Sequence, residues 1–289
     1  KYAGLYFVNF AFVNMRAEAQ QGSAKIGEIP GQAIVKPESI AGGWAKVTHG
    51  GQTGYVSDAY LKPFSPQFVV RQDSYTLPIL SYNVEGNPDA LKQLSDHVTR
   101  LRADGYNIVT LKQFYDILIQ QQQRNIVFEG KNVVIGITGV NAGNVKAVSD
   151  TLNANRINAT LFLQTKDVGL TGITEKQIIT LLANGFDIQS ATHTGDDLRA
   201  LTNAQVQLEM KQSRKILEDL TKRTIFGIAY PDGGTNDRVM EIAAEAGYLL
   251  GVSNNSGNTF RREQFLRLPS IQIFPSTSAD EVIGAVAAK

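Results

Sequence analysis

The sequence predicts an α/β fold, a parallel (β/α) barrel of about seven strands preceded by a small all-β barrel. The first observation is a change of texture near residue 64. Short β-like runs with frequent glycine and proline turns give way there to apolar strands that alternate with amphipathic helices. The second is a series of about seven strand–helix units after that point, which favours a closed barrel over an open sheet. We therefore expect two domains, residues 1–64 and 65–289.

Composition and charge exclude several classes of protein. Of the 289 residues, 43% are hydrophobic and 19% charged, which suits a globular chain with a sizeable core. A net charge of +1 provides no positive field for nucleic acid, and the absence of cysteine excludes disulfides, thiolate catalysis and cysteine-bound zinc. The sequence has no apolar run long enough to span a bilayer, so we do not expect an integral membrane protein. The apolar run at 5–13 contains asparagine and lacks a cleavage-site pattern, which favours a strand over a signal peptide.

The first 64 residues are predicted to form closely spaced short strands. The candidates are Leu5–Met15, Ala24–Ile29, Gln32–Lys36, Trp44–Thr48 and Gly54–Ser57. Turn-forming pairs such as Pro30-Gly31 and Gly50-Gly51 separate them, and this spacing is typical of a small β-barrel. Three aromatic side chains of this segment either fill the core of the barrel or stack on a ligand; they are Trp44, Tyr55 and Tyr60.

Three segments of the first domain carry a family resemblance. VNMRAEA, KIGEIPGQAIV and GGWAKVTHGGQTGYVSDAYL contain most landmarks of bacterial SH3-like domains, and residues 8–63 resemble that family. The resemblance implies a module that binds cell-wall peptides or targets the protein, and hence an extracytoplasmic bacterial location: periplasmic, envelope-bound or secreted. Trp44, Tyr55 and Tyr60 are then the candidate ligand-binding residues. The alternative is a barrel that only packs on its neighbour, with Trp44 in its core.

The second part of the chain alternates strands with helices. The predicted strands are Leu77–Tyr82, Ile108–Thr110, Asn132–Thr138, Ala159–Gln164, Ile188–Thr192, Thr224–Tyr230, Leu249–Ser253 and Leu266–Ile273. The predicted helices are Asp89–Asp104, Leu111–Gln123, Asn144–Asn153, Glu175–Ala183, Asn203–Lys222, Arg238–Ala246 and Ala279–Ala288. Gly105 and Gly247 have the position of helix C-caps, and Thr202 has that of an N-cap.

Several segments of this second part follow one another in the order and spacing of a known family. They are LPILSYN, LRADGYNIVTLKQFYD, NATLFL, GFDIQSATHTGDDL, AYPDGGTNDRVMEIAAEAGY and LRLPSIQIF. On these segments, residues 77–289 resemble the polysaccharide deacetylases, which remove N-acetyl groups from chitin, peptidoglycan and related glycans. The resemblance implies a distorted parallel (β/α) barrel of about seven strands.

The chemistry that this resemblance implies needs a metal ion, often zinc, held by one aspartate and two histidines. A second aspartate would be the general base and a late histidine the general acid. The aligned positions are Thr138 for the base, Gly139, Ala191 and Gly195 for the metal ligands, and Asn83 for the family's opening histidine. Glycine and alanine supply no ligand, a threonine hydroxyl is no base near neutral pH, and no histidine follows His193. We therefore expect degenerate motifs with no catalytic residues, no metal site and no cofactor.

The expected function is binding rather than catalysis. The expected partner is a cell-wall, capsular or exopolysaccharide glycan in the inherited groove, or an envelope protein. Polar and aromatic residues near the ends of the predicted strands would line that groove; they are Thr138, Asn141, Thr192, His193, Tyr230 and Asp232.

Two other functions stay open. The first is an active carbohydrate deacetylase with a non-standard site, in which His193 acts together with Asp196, Asp197 or Asp232. In an extended strand, however, the His193 side chain would point to the face opposite Ala191. The second is a structural role in which the barrel presents the SH3-like domain.

The remaining polar candidates are assigned to structural roles. Asp196 and Asp197 precede a helix and are predicted to be its N-cap, and Asp232 is predicted to lie in a turn. His97, on a helix, and His49, in a hairpin loop, are predicted to be surface residues.

Overall fold

A computed structural model describes residues 3–31, 33–64, 72–122 and 126–288 of the chain. These residues form two compact units, one up to residue 68 and the other from residue 69. Some bounds of the sequence prediction lie outside the described residues: the first domain's start at 1, the second domain's start at 65 and end at 289, the strand start at Gln32 and the helix end at Gln123.

Within the described residues, the small unit consists of strands and one 3-10 turn at Asp58–Tyr60. Its strands are β1 (Tyr6–Val8), β2 (Phe12–Arg16), β3 (Lys25–Pro30), β4 (Ile34–Val35), β5 (Ser39–Ala41), β6 (Trp44–His49), β7 (Gln52–Ser57) and β8 (Leu61–Pro63). They pair antiparallel in two sheets, of order β4-β1-β8 and β3-β2-β7-β6-β5. The predicted all-β domain is confirmed.

Alternation along the strands decides which side chains enter the small core. In β6, Ala45 and Val47 are fully buried, whereas Trp44 and Lys46 on the other face are half-buried. The core is aliphatic and consists of Val8, Val13, Met15, Ile29, Val35, Ala45, Val47, Val56 and Leu61. Trp44 lies outside it, so the placement of Trp44 in the core is wrong.

The predicted strand Leu5–Met15 is in fact two strands that belong to different sheets. β1 pairs with β4 and β8, whereas β2 pairs with β3 and β7. The chain crosses between the sheets at residues 9–11, where the Asn9 N–H donates to the Tyr60 carbonyl at 2.8 Å. The crossing leaves the Phe10 side chain 57% exposed.

The large unit alternates strands with helices, as predicted. Its strands are β9 (Ser74–Thr76), β10 (Ile79–Asn83), β11 (Asn107–Val109), β12 (Asn132–Thr138), β13 (Thr160–Leu163), β14 (Asp187–Ser190), β15 (Gly227–Ala229), β16 (Leu250–Val252), β17 (Thr259–Arg261) and β18 (Ile271–Ile273). Its helices are α1 (Leu94–Ala103), α2 (Leu111–Gln120), α3 (Val145–Ala154), α4 (Glu175–Ala183), α5 (Asn203–Thr221), α6 (Asp237–Glu245) and α7 (Ala279–Ala287).

Seven parallel strands form the main sheet, in the order β16-β15-β14-β13-β12-β10-β18, and β11 pairs with β12 beside this path. The segment just before β18 also reaches β16, at the other edge of the sheet. The Leu268 N–H donates to the Gly251 carbonyl at 2.7 Å, and Val252 forms a parallel bridge with Leu268. The predicted parallel (β/α) barrel of about seven strands is confirmed.

Most helices of the large unit begin with a side-chain cap. Capping boxes, in which the N-cap hydroxyl and a Gln or Glu side chain exchange hydrogen bonds with the backbone, start α2, α4, α5 and α7. Thr202 is the N-cap of α5, as predicted. Asp196 and Asp197 are not its N-cap, because α5 starts after Thr202 and Asp197 instead pairs with Arg199 at 2.8 Å. α1 begins at Leu94 rather than at Asp89, because residues 88–93 form turns.

Alternate residues of the strands supply two separate apolar clusters. Val133, Ile135 and Ile137 of β12 belong to the cluster shared with the helices, whereas Val134 between them belongs to the second cluster. The second cluster contains strand residues such as Phe162 together with Leu111, Phe114 and Leu118 of α2. It forms the floor beneath the site described below.

His97 is buried, so its prediction as a surface residue was wrong. Its ring is 1% exposed and lies on α1 between two partners. Nδ1 is 2.8 Å from the Tyr82 hydroxyl, and Nε2 is 2.8 Å from the Thr277 carbonyl. His97 therefore ties α1 to β10 and to the segment before α7. His49 is half-buried at the end of β6.

None of the helices in the described ranges combines the length and apolarity that a bilayer crossing requires.

Candidate functional site

A cavity of about 300 Å³ opens at the carboxyl ends of the barrel strands. This end of a parallel barrel is where ligand-binding and catalytic residues normally lie. Most of the lining is polar and uncharged; it includes Ser81, Asn83, Thr138, Gln164, Tyr230, Ser253, Asn254, Ser270 and Gln272. The floor is formed by Ala191, Ala229 and Val252, which belong to the second apolar cluster.

The five positions that the sequence aligned with a metal-dependent site all line this one cavity: Asn83, Thr138, Gly139, Ala191 and Gly195. Parallel pairing of β10 with β12 sets Asn83 beside Thr138. The strand order then brings the end of β14, with Ala191, to the same mouth. The five aligned positions therefore lie together in the cavity, and none of them carries an imidazole or a carboxylate.

The backbone at Gly139 leaves no room for a side chain. Its φ is +76°, and a Cβ built there would lie 2.5 Å from the Glu85 nitrogen and 2.7 Å from the Asn83 Oδ1. The segment after β10 is held in that place because the Asn83 Oδ1 accepts from the Glu85 N–H at 2.9 Å. An aspartate at 139 would have to displace backbone atoms, not only a side chain.

Gln164 occupies the space beside Gly195. The φ of Gly195 is +86°, and a Cβ built there would overlap the Gln164 side-chain amide. The sequence prediction placed Gln164 at the end of a strand and gave it no role. The available signal was a polar residue at the carboxyl end of an otherwise buried strand.

The Thr138 hydroxyl donates to the Tyr82 carbonyl at 3.5 Å. Tyr230 is 3% exposed, and its hydroxyl donates to the Leu266 carbonyl at 2.8 Å. Burial raises the pKa of the Tyr230 hydroxyl above its ordinary value, so Tyr230 stays protonated at neutral pH. Neither hydroxyl is placed or tuned to take a proton from water.

Three of the predicted groove residues do not line the cavity: Asn141, Thr192 and His193. Asn141 folds into its own turn, where Oδ1 accepts from the Gly143 N–H at 2.9 Å. Thr192 is fully buried with φ +66°, and its hydroxyl accepts from the Gly195 N–H at 3.2 Å. That left-handed residue ends the extended chain of β14.

His193 faces the loop after β13. Its Nδ1 is 2.9 Å from the Thr165 hydroxyl, and its carbonyl accepts from the Lys166 N–H at 2.9 Å. Asp197 is paired with Arg199, and the Asp196 Oδ2 is 2.9 Å from the Thr194 hydroxyl oxygen. Throughout the part of the chain that the structure describes, no three His, Asp or Glu side chains are grouped so as to hold a metal ion.

Glu209 of α5 fixes the loop after β14, and the sequence prediction did not include it. Its carboxylate is buried and accepts from the N–H groups of His193 and Thr194 at 2.9 and 2.8 Å, and from the Thr194 hydroxyl at 2.9 Å. Hydrogen bonds to a carboxylate are stronger than neutral ones. The signal in the sequence was an acidic residue next to Met210 and three positions after Val206, inside the buried stripe of α5.

Asp232 lines the cavity from the 3-10 turn Pro231–Gly233, where its φ is +51°. The predicted turn is confirmed. The Asp232 carbonyl accepts from the Asn254 Nδ2 at 3.0 Å, which ties this turn to the loop after β16. Glu85 and Asp232 are the two charged side chains of the lining.

The small unit has a groove of about 480 Å³ of its own. Trp44 and Tyr60 line it, whereas Tyr55 does not. Phe10 and Phe12, which the sequence prediction missed, complete an aromatic wall, with the Phe10 and Tyr60 ring centroids 5.2 Å apart. Asn14 also lines the groove, and its buried Oδ1 has no hydrogen-bond partner within the described part of the chain.

Comparisons with known proteins agree with this architecture. Residues 130–251 match the family model for polysaccharide deacetylase, and residues 11–62 match the one for the bacterial SH3 domain. YxkH of Bacillus subtilis, a protein named as a polysaccharide deacetylase, is 27% identical over 70% of this chain and 73% of its own length.

Solved structures show the same fold. The Streptococcus pyogenes deacetylase PplD, in complex with acetate, superposes with a TM-score of 0.64 at 22% identity, over 74% of this chain and 99% of that one. A polysaccharide deacetylase from Bacillus cereus superposes with a TM-score of 0.61 at 18% identity, over 98% of this chain and 91% of that one. At these identities the structures establish the fold alone.

Proposed function

Because the chain joins a bacterial SH3 domain to a polysaccharide deacetylase domain, we propose that it is an envelope protein that binds glycans without removing their acetyl groups. One observation carries the proposal. A cavity lies at the mouth of the barrel, but the three positions in it that are aligned with metal ligands are Gly139, Ala191 and Gly195, which have no ligating side chain. Backbone atoms of Glu85 fill the space for a side chain at Gly139, and the end of the Gln164 side chain occupies that space at Gly195.

The donor set of the cavity does not fit a resident zinc ion. A catalytic zinc needs three protein ligands from histidine, cysteine or carboxylate side chains. The lining offers neutral amides, hydroxyls and the carboxylates of Glu85 and Asp232. The lining contains no histidine that could protonate a leaving amine. Metal-activated hydrolysis is therefore not part of the proposed function.

The same lining suits a carbohydrate. Sugar hydroxyls both donate and accept hydrogen bonds, and the amides of Asn83, Gln164 and Asn254 and the hydroxyls of Ser81 and Ser270 can do the same. A volume of about 300 Å³ lies at the lower end of the range for small-ligand pockets. A single sugar unit of a longer chain is the occupant that this size favours.

The small domain supplies a second binding surface in this proposal. Exposed aromatic rings that line one groove are typical of recognition surfaces, because they bury much apolar area at a low entropic cost. Phe10, Phe12 and Tyr60 are between 41% and 57% exposed and flank Trp44. In this proposal the chain is extracytoplasmic, and a cell-wall peptide or glycan bound in the groove would retain it at the bacterial envelope.

The competing proposal is an active deacetylase built around His193. The position of His193 argues against it, because the ring is bonded to Thr165 and does not line the cavity. Of its predicted acidic partners, Asp197 is paired with Arg199 and Asp196 contacts Thr194. The third, Asp232, lines the cavity, which His193 does not.

The test combines a metal analysis of the purified full chain with an acetate-release assay on N-acetylated oligosaccharides. The proposal expects substoichiometric zinc, no enzymatic acetate release, and saturable binding of the oligosaccharides by calorimetry. His193→Ala and the control His49→Ala should both behave as the unmodified chain. Stoichiometric zinc together with activity that only His193→Ala abolishes would establish the competing proposal. If the chain shows neither binding nor activity, the remaining function is a structural role, in which the barrel presents the SH3 domain.

A further inference from the structure

The charge of the cavity indicates which glycan it takes. We propose that the cavity selects amino sugars with a free, protonated amine, that is, de-N-acetylated hexosamine units, over their N-acetylated counterparts. The inference rests on the proposed glycan-binding function and narrows it to one chemical class.

The lining of the cavity carries two carboxylates, Glu85 and Asp232, and no lysine, arginine or histidine. Within the described part of the chain, the Glu85 carboxylate has no hydrogen bond and no ion pair. A ligand ammonium group would provide the cationic partner that the protein does not supply.

The backbone holds Glu85 at the mouth of the cavity. Its N–H donates to the Asn83 Oδ1, and the Val84 N–H before it donates to the Thr138 carbonyl at 3.0 Å. Those bonds place the Glu85 backbone directly over Gly139, one of the positions aligned with a metal ligand. The negative charge of Glu85 therefore lies at the mouth, next to a position that is aligned with a metal ligand.

Asp232 faces the same mouth from the opposite wall, on a short turn that Asn254 braces. Arg199 is close enough to feel the charge of Asp232, but its guanidinium is bound to Asp197 by contacts of 2.8 and 2.9 Å. Arg199 therefore offsets Asp232 in part, and Glu85 is the stronger of the two candidates for the ammonium.

An N-acetyl group would find less to bind. The apolar floor that could contact its methyl is formed by Ala191, Ala229 and Val252, which are 6–7% exposed and present little surface. Asn83, Glu85 and Asp232 at the rim are exposed, so an entering ligand meets mostly polar and anionic atoms. A free ammonium has three donors for these acceptors, whereas an acetamide has one.

Non-specific attraction does not explain such selectivity. The chain has a net charge of +1, so a polycationic glycan gains nothing from the protein's overall field. The preference must arise at the cavity, and substitutions there should remove it.

The experiment is a calorimetric titration of the full chain with two probes of equal length, a glucosamine oligosaccharide and the N-acetylglucosamine oligosaccharide, at a pH where the amines are protonated. We expect the glucosamine probe to bind about ten-fold more tightly at low salt, and the difference to shrink at high ionic strength. Glu85→Gln should remove most of the difference and Asp232→Asn a smaller part. Both should weaken binding of the acetylated probe much less than binding of the glucosamine probe. The control Glu245→Gln, an exposed acidic residue at the end of α6, should change neither affinity.

Each outcome bears on a different statement. Equal or tighter binding of the acetylated probe overturns the inference and leaves the glycan-binding function standing. A preference for the amine that survives both Glu85→Gln and Asp232→Asn also overturns it, because the ammonium then binds elsewhere. Binding of neither probe refutes the glycan-binding function itself, and the inference with it.

Discussion

The two ends of strand β14 differ in the polar contacts that their side chains make. Asp187, Gln189 and Ala191 follow one another on the same face of the chain, from the amino end of the barrel to its mouth. Asp187 is buried, and its carboxylate accepts from the Lys112 N–H, the Thr160 hydroxyl and the Gln189 Nε2 at 2.8 to 3.0 Å. Ala191, four residues later, offers only a methyl group to the cavity.

The contrast separates what the fold needs from what the chemistry needs. Gln189 extends the hydrogen bonds around Asp187 to the start of β15, because its Oε1 accepts from the Phe226 and Gly227 N–H groups. The polar groups at that end therefore bind strands and α2 together, whereas the mouth can lose its ligands without loss of the barrel. In parallel barrels the amino end serves stability and the carboxyl end serves activity.

The largest expected effect comes from removal of the amino-end carboxylate. Asp187→Ala leaves three donors without an acceptor, two of them buried and the Lys112 N–H partly buried. Each costs up to about 1–3 kcal/mol, so we expect the free energy of unfolding to fall by about 3–5 kcal/mol. Urea denaturation measures it. The control Asp150→Ala removes an exposed i,i+4 ion pair and should change little. A loss below about 1 kcal/mol for Asp187→Ala would show that the two ends do not differ as described.

The second effect concerns an attempt to refill the mouth. The triple variant Gly139→Asp, Ala191→His and Gly195→His should be less stable by about 2–4 kcal/mol. The backbone at positions 139 and 195 is left-handed, a conformation that is unfavourable for residues with a side chain. It should still not bind stoichiometric zinc, since the Glu85 backbone blocks position 139. Addition of Gln164→Ala should relieve the contact at 195 only. One zinc per chain in the triple variant would contradict the account of a filled site.

A third effect is expected at the loop after β14, which Glu209 holds in place. Glu209→Ala removes the acceptor for the His193 and Thr194 N–H groups, and we expect a loss of about 2–3 kcal/mol. Faster hydrogen exchange of those two amides would locate the loss in this loop. Glu245→Ala, on an exposed helix end, is the matched control. Unchanged exchange would mean that other contacts hold the loop.

The smallest effect is a pH dependence. Burial raises the pKa of Asp187 above its ordinary value of 3.8, although its hydrogen bonds from Gln189 and Thr160 oppose the shift. The folded state therefore holds this proton to higher pH than the unfolded state. The stabilising contribution is complete below the unfolded pKa and is lost as the pH rises through the folded pKa. Denaturation of the unmodified chain and of Asp187→Asn at several acidic pH values should show this slope only in the former.

The sequence predicted those features that local patterns encode. The apolar run of β12 and the cap at Thr202 are such patterns. The motif register also placed Asn83, Thr138 and Ala191 in what the structure shows to be one cavity, because the ends of parallel strands meet. The N-cap assigned to Asp196 and Asp197 failed because the chain makes a further turn before α5.

Other features depend on partners far along the chain. His97 is buried by Thr277, 180 residues away, and Glu209 binds a loop 15 and 16 residues before it. Gln164 approaches Gly195 from another strand. His193 was placed in the groove from its neighbours in the sequence, but its ring is bonded to Thr165 in the loop after β13. Periodicity does not record such contacts, since they arise only when the barrel closes.

The central claim is that the mouth of the barrel binds a glycan and leaves it chemically unchanged. Mass spectrometry of an N-acetylated oligosaccharide, recovered after prolonged incubation with an equimolar amount of the full chain and added zinc, tests this most directly. The account predicts retention of the oligosaccharide by the protein and recovery at its original mass. Recovery of species that lack acetyl groups, in an amount that a metal chelator abolishes, would contradict it.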